Sequence, residues 1–120
     1  MSERISFITH QGKAIMLIDF SHGKPKEILL LLDEIQRSVA RHERGSLLTL
    51  ADLTGAHVDR RVATRMKEVL VMDRPFVKKS AWVGVDSLPK IYYENIKSFS
   101  QRDFPPFKTR EEAMDWLVKE

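Results

Sequence analysis

The chain has 120 residues, no cysteine and a formal charge of +3, from 20 Lys and Arg against 17 Asp and Glu. Its length suits one domain able to bury roughly two-thirds of its unfolded surface, and 42% hydrophobic with 31% charged residues is a folded, not a disordered, composition. Disulfides, thiolate chemistry and cysteine-held zinc are excluded, and basic residues scattered among acidic ones argue against nucleic acid, which selects a concentrated stripe.

Residues 5–9 alternate and predict a short strand, Gly12-Lys13 a tight turn, and residues 14–20 a second strand pairing with the first as a hairpin. Residues 21–25 form a loop ending in Pro25, which suits a first helical turn. Ile28, Leu32, Ile35 and Val39 then mark the core face of a helix expected to run to about Arg44, where Gly45 stops it. Residues 47–53 are a nearly continuous apolar run, as in a parallel strand covered on both faces. Thr54-Gly55 opens a loop, Asp59 is a candidate N-cap, and Val62, Met66, Val69 and Leu70 form the next helical stripe, stopped at Asp73-Arg74-Pro75.

Residues 77–85 read as another buried strand. Asp86-Ser87-Leu88-Pro89 is expected to cap a third helix, with Ile91, Ile96 and Phe99 inward. Residues 100–106 read as a loop and Phe107 as a very short strand. Thr109 with Glu112 is a capping-box pattern, and Ala113, Trp116 and Leu117 make the apolar stripe of a final helix. The order β-β-α-β-α-β-α-(β)-α over 1–120 implies a single α/β domain, with a mostly parallel sheet, right-handed crossovers and one N-terminal antiparallel strand. The start of the chain lacks a secretory apolar segment, and the longest apolar runs, 14–18 and 28–32, are far short of a membrane span. With the missing cysteine, a cytoplasmic location is expected.

Ile15-Met-Leu-Ile-Asp-Phe20, Leu50-Ala-Asp-Leu-Thr54, Lys79-Ser-Ala-Trp-Val-Gly-Val85 and the stretch from Phe107 to Leu117, in this order, resemble the SpoIIAA-like group of the STAS superfamily, whose fold is related to CRAL-TRIO lipid-binding domains. The resemblance implies a regulatory domain like the anti-sigma factor antagonists, working through a protein partner, without enzymatic activity or cofactor. The CRAL-TRIO relationship implies the alternative of a small apolar or lipid-like ligand. In phosphorylated members a serine at the start of the helix after the third strand is modified. Here that stretch reads Thr54-Gly-Ala-His-Val-Asp-Arg-Arg61, without the Asp-Ser-Ser-Gly pattern. The phospho-switch is therefore not expected, although Thr54 and Thr64 are nearby hydroxyls.

Asp19, Asp52 and Asp86 fall near strand ends, where open α/β sheets bind ligands. Either they converge on a divalent cation or each caps its own turn. The second alternative is favoured, and no metal is assigned. Asp52, inside an apolar strand, requires hydrogen-bonding partners or a shifted pKa. His10, His22, His42 and His57 have no metal-ligand spacing, although His22 and His57 are candidates for a general base beside a carboxylate. Ser80 has no nucleophile elbow around it. Arg60, Arg61, Arg65 and Lys67 are the densest basic cluster, with Arg61 and Arg65 on one helix face. The expected partner-binding surface is Thr54, His57, Asp59, Arg61 and Arg65. Lys78-Lys79 beside Trp82 forms a second mixed patch, and Trp82 is expected in the core. Tyr92, Tyr93 and Phe99 cannot all face inward, so exposed aromatic surface and self-association as a homodimer are expected from the third helix.

Overall fold

The computed structural model describes residues 3–100 and 105–119. Its strands are β1 (Ile5–His10), β2 (Lys13–Asp19), β3 (Leu47–Asp52), β4 (Val77–Val83) and β5 (Pro106–Phe107). Its helices are α1 (Pro25–Val39), α2 (Arg60–Asp73), α3 (Lys90–Ser100) and α4 (Arg110–Val118). The sheet order is β1-β2-β3-β4-β5, antiparallel between β1 and β2 and parallel thereafter. This is the element order read from the sequence. Because the parallel strands advance in one direction, crossovers of one hand place α1, α2 and α3 on the same face. There Ile28, Leu32, Val62, Met66, Trp82 and Ile96 share the larger core. The chain reaches the other face only after β5, where Ala113 and Leu117 of α4 pack on Ile15, Leu50 and Ala81.

Several boundaries differ from expectation for local reasons. The hairpin turn is Gln11-Gly12, both at positive φ (50° and 80°), so Lys13 already belongs to β2, opposite His10. Helix α1 stops at Val39, not near Arg44. Beyond Val39 the stripe would require His42 or Glu43 in the core, and the chain instead takes tight turns, with His42 N–H on Val39 O (3.1 Å). Gly84, at φ 76°, ends β4 before Val85. Asp86 lies in a 3-10 turn of its own, Val85–Ser87, and does not cap α3. On α3, Ile96 and Ser100 are buried, Tyr92 and Tyr93 pack against the core, and Ile91 (66% exposed) and Phe99 (59%) face outward. The exposed aromatic surface expected from this helix is therefore Phe99. Most of the loop expected over 100–106 lies outside the described residues.

Thr109 does cap α4, its hydroxyl accepting from Glu112 N–H (3.2 Å). The Glu112 carboxylate, however, bonds that hydroxyl (3.2 Å), so the return arm of the box is not formed. The return arm appears at α1 instead, where Glu27 accepts from Lys24 N–H (3.0 Å).

Candidate functional site

The loops after β2, β3 and β4 lie together at the carboxyl end of the parallel strands. Their backbones are joined directly: His22 N–H donates to Thr54 O (2.9 Å), His57 N–H to Gly23 O (2.9 Å), and Leu53 N–H to Val83 O (2.8 Å). Gly55 N–H donates to the Ser87 hydroxyl (2.7 Å). Two glycines allow this closeness. A side chain at Gly55 would meet the His22 imidazole, and one at Gly84 would lie 2.5 Å from Thr54 N.

Beneath the loops, Asp52 is 6% exposed. Its Oδ1 accepts from Thr54 N–H (3.0 Å) and its Oδ2 from Arg110 Nε (2.7 Å). Arg110 also reaches Asp19 Oδ1 with Nη2 (3.5 Å). Asp19 in turn accepts from the Ser21 amide (2.9 Å) and hydroxyl (2.5 Å). Burial pushes the Asp52 carboxyl up, but hydrogen bonds from Thr54 and the charge and hydrogen bond of Arg110 outweigh it and hold the group below its ordinary range. The three aspartates therefore do not gather round a cation. Asp19 and Asp52 close turns and share Arg110, while Asp86 is exposed in its own turn. Among the described residues no group of three acidic or imidazole side chains is placed to hold a metal.

The basic cluster divides into two parts. Arg65 bonds Asp33 (2.9 Å) and Gln36 (2.8 Å) across to α1 and lies 3.7 Å from Glu68, so it joins helices rather than standing free. Lys67 lies over the Phe99 ring at 5.4 Å. Arg60 and Arg61 are exposed at the start of α2, along a cleft shared with Leu29, Thr64 and Glu68. Asp59 accepts from Val62 N–H (2.8 Å) as the N-cap, and the Thr64 hydroxyl is turned back onto Arg60 O (3.0 Å). Thr54 and His57 are exposed. Among the described residues, neither the His22 nor the His57 ring is hydrogen-bonded to a carboxylate. Ser80 is buried on Thr49 (2.8 Å), and Trp82 is in the core, 6.0 Å from the Tyr93 ring.

The residue that sequence reasoning missed is Arg110. The buried Asp52 signalled that a partner was needed, but the partner is 58 positions away, and only the fold brings it there.

The sequence matches no protein-family model and no curated protein. Solved structures do match. An uncharacterized DUF3478-family protein with a SpoIIAA-like fold from Shewanella loihica PV-4 superposes with TM-score 0.68 at 15% identity, over 95% of this chain and 92% of that one. An anti-sigma-factor antagonist (STAS) domain protein from Planctomyces limnophilus gives TM-score 0.61 at 11% identity, over 96% and 98%. The chain therefore has a SpoIIAA-like, STAS-type fold. Among the described residues no helix is long and apolar enough to cross a membrane.

Proposed function

We propose that this domain is a non-enzymatic regulatory module that captures a protein partner with the exposed start of α2 and the loop before it, without a phosphoserine switch. The observation that carries this reading is the pair Arg60 and Arg61, exposed beside the apolar Leu29 at the edge of a loop cluster braced by backbone hydrogen bonds. A rim whose Arg60 and Arg61 guanidinium groups have no ion pair among the described residues suits an acidic protein surface, since such charges steer encounter and set register. The fold shared with an anti-sigma-factor antagonist domain supports the same reading. Asp59 stands near where the resemblance would put a phospho-acceptor, and its carboxylate is used by the helix start.

The alternative of an apolar ligand has less support. The cavity between the sheet and α1–α2, lined by Phe20, Ile35, Met66 and Trp82 among others, holds about 40 Å³. Ligand pockets usually hold about 300–1,000 Å³.

Arg60→Glu with Arg61→Glu should abolish capture of the partner from cell lysate while leaving circular dichroism and thermal midpoint unchanged. Retained capture would sink the proposed surface. Arg65 is the wrong probe, because its reversal would put a glutamate against Asp33 and loosen α1 from α2.

A further inference from the structure

The opposite end of the sheet, where the parallel strands begin, has a different chemistry. A cleft of about 280 Å³ lies between the starts of β2, β3 and β4 and the end of α4. Among the described residues, four that line it are lysines, Lys13, Lys78, Lys79 and Lys119, and none is acidic. The clefts along α1 and α2 are mixed, each containing Glu27, Glu34 or Glu68.

Two of the four ammonium groups are fixed in place. Lys13 donates to Val118 O (3.1 Å), and Lys79 donates to Trp116 O (2.8 Å) while lying 4.1 Å above the Trp116 ring. Lys78 and Lys119 are exposed at the rim. Two consecutive strand residues ordinarily point to opposite faces. Here the β3–β4 register shifts, with Leu47 opposite Val77 and Leu48 opposite Lys79, so Lys78 is an extra, bulged residue. The bulge allows both lysines to line one cleft, the kind of re-aiming for which bulges are retained near functional sites. Burial, together with the charges of Lys13, Lys78 and Lys119, holds Lys79 below its ordinary value. An anion in the cleft would reverse that repulsion.

We propose that this four-lysine cleft is a binding site for a phosphate-bearing anion, either a small soluble phosphate compound or the headgroup of an anionic lipid. Lysine binds phosphate as a point charge, and two of the four charges here are positioned before any ligand arrives.

The test is calorimetric titration with inorganic pyrophosphate at about 0.1 M salt, where exposed charges are screened beyond about 10 Å. Lys78→Ala with Lys119→Ala removes two rim charges and leaves the α4 contacts of Lys13 and Lys79. Binding should weaken about tenfold or more. Arg37→Ala with Arg41→Ala removes the same net charge elsewhere and should leave binding unchanged. In parallel, both variants are sedimented with phosphatidylcholine vesicles with and without phosphatidylglycerol. Saturable pyrophosphate binding lost only in the lysine variant assigns a soluble ligand. Vesicle capture lost only in that variant, without pyrophosphate saturation, assigns the lipid headgroup. No binding in either arm, or equal loss in both variants, overturns the site.

Discussion

A carboxylate at the end of a buried strand keeps its charge only while donors surround it. Asp52 has Thr54 on one oxygen and Arg110 on the other. Since it titrates lower in the folded chain than in the unfolded one, its contribution is complete above the ordinary carboxyl value of 3.8 and is lost as pH falls through the lower folded value. Asp52→Asn should therefore lower stability at neutral pH by about 1–3 kcal/mol and flatten the loss of stability below about pH 4. Urea denaturation across a pH series reads both effects, and parallel pH profiles for the two proteins would exclude Asp52 as the source. The need for a partner was legible at this residue because an aspartate interrupts an apolar run. The identity of Arg110 was not, because periodicity reports which face a residue takes and not which distant element covers it.

Among the elements, the loops after β3 and β4 depend on close backbone approach. Gly84 has φ 76°, and a side chain there would meet the Thr54 backbone. Gly45 has φ 68°, and a side chain there would meet open space. Both Gly→Ala changes impose the left-handed penalty of about 1–2 kcal/mol, but Gly84→Ala adds an overpacking cost of about 1–3 kcal/mol. Thermal unfolding should rank Gly84→Ala well below Gly45→Ala, and equal losses would mean that the loops yield without cost. Legibility varied with the strength of the stripe. Helix α2 repeats its apolar spacing over three turns, and its expected Asp59 cap is the cap observed. Helix α3 is shorter and has apolar residues on more than one side. Ile91 to Ile96 is a step of five, which turns away from a single face. The helix instead follows Tyr92, Ile96 and Ser100, four apart, and leaves Ile91 and Phe99 outside.

At the scale of the molecule, the described residues form a sheet between unequal layers, three helices on one face and the nine-residue α4 on the other. Helix α4 is held by buried Ala113 and Leu117, by its Thr109 cap and by lysines at its last carbonyls. Its amides should exchange with solvent through a partial opening before those of β3, which is buried along its length. Hydrogen exchange followed by mass spectrometry gives the order, and simultaneous exchange would show one cooperative unit. The alternation of strand and helix made this layering legible. The inequality of the layers follows from strand order, which no local pattern encodes.

The sheet begins at β1, six residues with one side of the ladder unpaired by β2. From Ile5 to Thr9 it has no charge, no proline and no register shift, the devices by which exposed edges avoid foreign strands. Phe7, half exposed, stands at its centre. In concentrated solution, and during refolding above all, copies of this chain should meet first along β1, so colloidal behaviour should depend on these few uncharged residues more than on the stability of the core.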